Sequence, residues 1–198
     1  MNVLIKRLRN SYFIEALRKS TKIRLFLRQV KMAYFRKIYG LSQVHSTFYM
    51  GGKSDVSSDL KAGPYSYMAV GCRVCPKVSI GSYTMFGPDV QIVGDDHTFS
   101  NPDLPVIFSG RPELKETFIG KDVWVGTKVI IKAGVKIGDG AIIAAGSIIT
   151  KDIPERMIYG GVPAKFMKKR FEQDSDIKKH KKMLDKTIKD LSFPDNRT

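Results

Sequence analysis

I-G-K-D-V-W-V-G-T-K-V-I-I-K-A-G-V-K-I-G-D-G-A-I-I-A-A-G-S-I-I-T-K-D-I-P, residues 119–154, repeats itself every six residues. Ile119, Val125, Ile131, Ile137, Ile143 and Ile149 form one series, and all are β-branched aliphatics. Four places on stand Val123, Val129, Val135, Ala141, Ser147 and Ile153, mostly small or aliphatic. Directly after each lead residue come Gly120, Gly126, Lys132, Gly138, Ala144 and Thr150, a place that mostly needs little or no side chain. An amphipathic helix repeats at three and four and an exposed strand at two, so a strict six demands another geometry. Six residues fit one short strand plus a turn, the unit of a parallel β-helix whose stacked coils share a lengthwise core. The lead aliphatics are expected to fill that core, and the small residues to permit its corners.

A weaker array precedes this one. Met68, Val74, Ile80, Phe86 and Ile92 lead it, with Cys72, Val78, Thr84 and Val90 four places on. The phase breaks once, because the 21 residues between His97 and Ile119 carry no repeat and include Asn101, Pro102, Pro105, Gly110 and Pro112. They read as a loop thrown out from one coil, and loops of that length inside a compact domain are usually functional. Residues 2–39 mix Leu, Ile, Phe and Tyr with Lys and Arg at near-helical spacing, which predicts two basic amphipathic helices broken near Ser20 and Thr21. Residues 174–191 predict a closing helix with Ile177, Leu184, Ile188 and Leu191 on its apolar side, suited to capping an open solenoid end. The expected organisation is a basic helical segment (1–40), a β-helix (41–172) interrupted by the loop 98–118, and a C-terminal helix and tail (173–198).

The 198 residues, 42% apolar and 27% charged, suit one globular unit. The net charge of +15 sits at the ends, with +10 in residues 1–40 and +5 in residues 165–198, so the middle is neutral. A nucleic-acid module would carry its basic residues on the folded surface, so nucleic acid is not an expected partner. No apolar run reaches the length of a membrane span and the first residues lack a secretory signal pattern, which predicts a cytoplasmic protein. The basic N-terminal segment either lies on the inner face of the cell membrane or packs on the rest of the chain. Cys72 and Cys75 are the only cysteines, and with just His45, His97 and His180 to complete a site no metal is expected. Gly51-Gly52-Lys53-Ser54 is no phosphate-binding loop, because Thr47 stands where the first glycine would be needed.

I-G-K-D-V-W-V-G (119–126), G-A-I-I-A-A-G-S-I-I-T-K-D-I-P (140–154) and Y-G-G-V-P-A-K (159–165) together resemble the hexapeptide-repeat acetyltransferases. Within that family the chain is most similar to surface-polysaccharide O-acetyltransferases and xenobiotic acetyltransferases, over roughly residues 60–172. The resemblance implies a left-handed parallel β-helix with three hexads per coil, an exception to the right-handed crossover rule. It implies a homotrimer with acetyl-CoA in the groove between neighbouring subunits, and a catalytic base on the extended loop. That base falls on His97 in G-D-D-H-T-F. Donor positions fall on Trp124, Thr127, Ala145, Thr150 and Lys151, with Lys168 beyond P-A-K meeting the nucleotide phosphates.

The chemistry agrees with these residue types. A sugar hydroxyl is a poor nucleophile at neutral pH, and histidine ionises near working pH and so suits a general base. Its second nitrogen needs a partner, and Asp95, Asp96 or a backbone carbonyl would serve. No Ser or Cys stands in a nucleophile motif, so direct transfer is expected, with backbone N–H groups holding the oxyanion. Lys151 and Lys168 would face the phosphates of coenzyme A, while Gly126, Ala144, Ala145 and Gly146 would let its pantetheine arm lie close to the coils. Tyr65 and Tyr67 either line the acceptor site or cover the first coils. His45 and His180 lie outside the motifs and carry no assigned role. The expected function is acetylation of a hydroxyl on a surface polysaccharide or its precursor. The alternatives are a xenobiotic O-acetyltransferase, because R-F-E-Q-D (170–174) resembles the segment after the repeats in that branch, and a non-catalytic basic scaffold or membrane-binding β-helix.

Overall fold

The period of six closes into triangular coils of eighteen residues, each side a strand of two or three residues and each corner a turn. The structure, a computed structural model, describes residues 21–94 and 96–186. Sheet 1 holds β1 (Tyr49–Met50), β4 (Tyr67–Met68), β7 (Met85–Phe86), β10 (Trp124–Val125), β13 (Ile142–Ile143), β15 (Met157–Gly161) and β16 (Ala164–Lys169). Sheet 2 holds β2 (Asp55–Val56), β5 (Arg73–Val74), β8 (Gln91–Val93), β11 (Ile130–Lys132) and β14 (Ile148–Ile149). Sheet 3 holds β3 (Lys61–Ala62), β6 (Val78–Ile80), β9 (Thr117–Ile119) and β12 (Lys136–Ile137). Every strand pairs in parallel with its neighbours one coil away except β16, which folds back antiparallel on β15. The result is a left-handed parallel β-helix with the form of a triangular prism.

Both predicted series point inward. Ile119, Val125, Ile131 and Ile137 are wholly buried, as are Val129, Ala141 and Ser147 of the second series. Each fully buried Ile or Val contributes roughly 1.5–3 kcal/mol, so the row of β-branched residues carries much of the fold's stability. Ser147 is tolerated there because its hydroxyl donates to Ala144 O (2.6 Å) and accepts from Gly161 N (3.1 Å). The solenoid begins earlier than the array from Met68. Met50 and Val56 are buried and Val44 bridges to Ala62, all at spacings of six.

At the corners the small residues allow the coils to stack closely. Gly120 and Gly126 do not have left-handed backbone; they make room for the next coil, since a Cβ on Gly126 would stand 2.6 Å from Ala145 N. Left-handed backbone falls elsewhere, at Tyr65, Tyr83, Asp122, Gly140 and Arg156 on the edge from sheet 3 to sheet 1. It recurs at Gly71, Asp89, Lys128 and Gly146 on the edge from sheet 1 to sheet 2. Turn geometry repeats with the coil at a fixed place, and side chains there accept the strain.

The predicted loop leaves the edge between sheets 2 and 3, after β8, and returns at β9. It carries a short 3-10 helix, Val106–Phe108. Thr98 N donates to Gly110 O at 2.9 Å, and Lys77 pairs with Glu113 at 3.2 Å near the returning strand. At the N-terminal end, α1 (Thr21–Tyr39) buries Met32 and Phe35 against Leu41, Phe48 and Met50. The first of the two predicted basic helices lies outside the described residues. The closing helix α2 spans Asp174–Leu184 and buries His180 and Leu184; Ile188 and Leu191 lie outside the described residues. Among the described residues no helix is long and apolar enough to cross a membrane.

Candidate active site

His97 stands at the root of the loop, on the edge between sheets 2 and 3, where the chain leaves the regular coil. It is half-buried, and its Nδ1 is buried without a hydrogen-bond partner among the described residues. Leaving such an atom unpaired costs about 1–3 kcal/mol. Asp96, next in sequence, is exposed, and Asp95 lies outside the described residues. Thr150 and Lys151 follow β14 on this same edge, both exposed. Two coils separate them from the root of the loop, about 10 Å along the prism axis.

The other donor candidates gather elsewhere. Gly126, Thr127, Ala144, Ala145 and Gly146 follow β10 and β13 on the edge between sheets 1 and 2. The coils stack tightly here: a Cβ on Gly87 would meet Thr127 N at 2.7 Å. Thr127 fixes the corner by donating its hydroxyl to Pro88 O at 2.9 Å. Gly146 has φ +70°, and a side chain added there would meet nothing within 4 Å. Trp124 precedes this edge and points outward, 55% exposed. It belongs to a row of Cα partners across sheet 1 that runs Tyr49, Tyr67, Met85, Trp124, Ile142, Ile158 and Lys168. Lys168 is three strands from Trp124, about 14 Å, and Tyr67 two strands the other way. Tyr67 stacks on Tyr49 with ring centroids 5.9 Å apart. Tyr65 lies off the row, at a corner, stacked on Tyr83.

The candidates therefore fall into two groups on different edges. His97, Thr150 and Lys151 share one; Trp124, Gly126, Thr127, Ala144 and Ala145 share another, and Lys168 lies on the adjoining sheet. Six residues of strand and turn separate Ala144 from Thr150, a span of roughly 20 Å at most. One chain does not bring the two groups to a single point.

Sequence reasoning missed one polar cluster. His180 Nε2 bonds Asp122 Oδ2 at 2.8 Å, and Arg170 Nη1 bonds the same oxygen at 2.9 Å while also reaching Asp122 O and Gly140 O. Phe171 packs on the His180 ring at 5.1 Å. The cluster ties α2 and the end of β16 to a corner of the coil, so it serves docking of the cap. The partners are 58 and 48 residues apart in sequence, which left no local signal. Burial pushes the Cys72 thiol up to about 11, which suits a core residue rather than a nucleophile. Among the described residues no group of three or more His, Cys, Asp and Glu is placed to hold a metal.

Stacked triangular coils with outward-facing edges define the left-handed parallel β-helix as a structural class. Residues 116–151 match the sequence pattern described as bacterial transferase hexapeptide (six repeats). The chain is similar to the galactoside O-acetyltransferase of Lactococcus lactis, 41% identical over 110 residues that cover 54% of this chain and 51% of that protein. The chloramphenicol acetyltransferase of Agrobacterium fabrum is 48% identical over 74 residues, 37% of this chain and 35% of that protein. The chain thus spans about half, or less, of the length of the curated relatives it matches. The fold also matches a galactoside acetyltransferase solved in complex with coenzyme A, with TM-score 0.59, 24% identity, and coverage of 86% of this chain and 83% of that one.

Proposed function

We propose that the protein is an acetyl-CoA-dependent O-acetyltransferase that acts on a sugar hydroxyl of a surface polysaccharide or its precursor. The observation that carries this reading is the separation of His97 from the Trp124 edge on a fold shared with acetyltransferases. In a homotrimer the two edges of adjacent subunits would face each other, and each interface would hold one complete site. Exposed apolar residues on the loop, Phe99 (83%), Ile107 (71%) and Phe108 (72%), support a contact with a neighbouring subunit.

Acetyl-CoA would lie along the interface, its pantetheine arm against Gly126, Ala144 and Ala145 and its phosphates near Lys151 and Lys168. With its proton on Nδ1, His97 accepts the acceptor's hydroxyl proton on Nε2 as the oxygen attacks the thioester carbonyl. The tetrahedral oxyanion collapses, the carbon–sulfur bond breaks, and the leaving thiolate takes the proton from the imidazolium. The unpartnered Nδ1 would find its acceptor when the neighbouring subunit closes the site. Tyr67, on the same row as Trp124, would contact the acceptor, and Tyr65 would cover a corner beside it. We place the enzyme in the cytoplasm, where acetyl-CoA is made.

Release of free coenzyme A from acetyl-CoA, measured with galactosides, maltose, capsule oligosaccharides and chloramphenicol as acceptors, tests the reading. Turnover with a saccharide and little with chloramphenicol supports it. The reverse preference would favour the second reading, a xenobiotic acetyltransferase, for which the 48% identity to the chloramphenicol enzyme speaks. Failure to bind acetyl-CoA by calorimetry would overturn both. Assembly is tested by mixing His97→Ala and Trp124→Ala proteins after subunit exchange. Random mixed trimers would regain about one-quarter of wild-type activity, whereas a site within one chain would regain none.

A further inference from the structure

Helix α1 is apolar on two opposed sides, and among the described residues only one of them packs on the coil. Met32, Phe35 and Tyr39 pack on the first coil. Roughly 150° around the helix, Phe26, Val30, Tyr34 and Ile38 recur at every fourth residue with Leu27 beside them. These five residues are 52–63% exposed. A solvent-facing stripe of two aromatic and three aliphatic side chains is far from the polar outer face of an ordinary capping helix.

The charge of the segment decides what covers the stripe. Thr21–Tyr39 contains six Lys or Arg and no Asp or Glu. Lys31 donates to Gly51 O and lies over the rings of Phe35 and Tyr49, while Arg36 donates to His45 O and Ser46 O. These contacts fix the helix on the coil through neutral groups, with no acidic side chain paired to either Lys31 or Arg36 among the described residues. Lys37 is exposed on the side of the stripe. A second copy of the helix would bring six more positive charges against these. The chain's own residues 1–20 would bring five basic residues against one acidic. Either occupant gathers like charge around an apolar contact, which costs energy, whereas an anionic lipid surface supplies both the opposite charge and an apolar interior.

We propose that α1 docks the protein on an anionic membrane surface, with Phe26, Leu27, Val30, Tyr34 and Ile38 inserted at the level of the headgroups and the basic residues against lipid phosphates. The proposal is independent of the acetyl-transfer reading and requires no catalytic turnover. The test is co-sedimentation of the full chain with vesicles of phosphatidylcholine alone, or with about one-third phosphatidylglycerol. Binding should require the anionic lipid and weaken at least about tenfold when salt is raised from roughly 0.05 to 0.5 M. The triple substitution Phe26→Ser, Val30→Ser, Tyr34→Ser should lower the partition coefficient by at least about tenfold, with an unchanged melting temperature and oligomeric state. Binding equal on neutral vesicles, no binding, or binding unaffected by the triple substitution would overturn the proposal. So would a lowered melting temperature or a changed oligomeric state in the variant, since either would show that protein already covers the stripe.

Discussion

Substituting Asp122 by Asn removes one charge from the cluster that holds the C-terminal cap and changes little else. Asn tolerates the left-handed backbone that Asp122 adopts at φ 52°, so the corner itself should survive. The carboxylate now receives Arg170 at 2.9 Å and His180 at 2.8 Å, with the Asp122 side chain 25% exposed and that of His180 5%. After the substitution Arg170 keeps the carbonyls of Asp122 and Gly140, and His180 faces an amide. The loss of charge assistance in partly screened bonds is then about 1–3 kcal/mol. For a protein of this length each kcal/mol lowers the melting temperature by about 2–4 °C, so the fall should be about 2–12 °C. Asp122→Ala should cost about 1–2 kcal/mol more, because alanine disfavours the left-handed corner. Thermal and urea denaturation of both variants and of His180→Gln, singly and combined, would measure the coupling. An Asp122→Asn protein melting within about 1 °C of wild type would refute the reasoning.

Gly126→Val should destabilise by about 1–3 kcal/mol, since even a Cβ would press on Ala145 N, and should raise KM for acetyl-CoA more than KM for the acceptor. Lys151→Glu should raise KM for acetyl-CoA selectively, and the effect should shrink at high salt; a change confined to the acceptor constant would move Lys151 to the other half of the site. Cys72 should resist a thiol reagent at pH 8 until the protein unfolds, because a thiol raised to about 11 is only about one part in a thousand thiolate there. The same raised value leaves stability unaffected by this group below the ordinary 9.0 and lowers it from there towards about 11, where the unfolded chain loses its proton first.

The solenoid was legible because its core is one-dimensional: the same inward place recurs every six residues, and β-branched side chains mark it from Ile119 to Ile149. The first coil was harder to see. Met50 and Ala62 hold the same inward place, but neither is β-branched, and the period fades into ordinary composition. Trp124 faces outward beside the inward Val125, as alternation along a strand requires. The need for small residues at the corners shows in the repeat, but its cause, room for the neighbouring coil, is a contact between segments about one coil apart that no local pattern encodes. The distribution of candidate residues over two edges was equally invisible in sequence, because it depends on which sheet each hexad joins. His180 had no mark in the sequence, its partners being supplied by a distant corner and by the strand that closes the prism. The antiparallel turn-back of β16 escaped for a related reason, as its residues 164–169 are almost all exposed and carry no inward period.

Steady-state release of coenzyme A by wild-type and His97→Ala proteins tests most directly whether His97 is the base of the proposed acetyl transfer. Turnover should fall by about 10²–10⁴-fold, with the melting temperature and the calorimetric affinity for acetyl-CoA nearly unchanged. Turnover within a few-fold of wild type would remove His97 from the mechanism and contradict the proposed reaction.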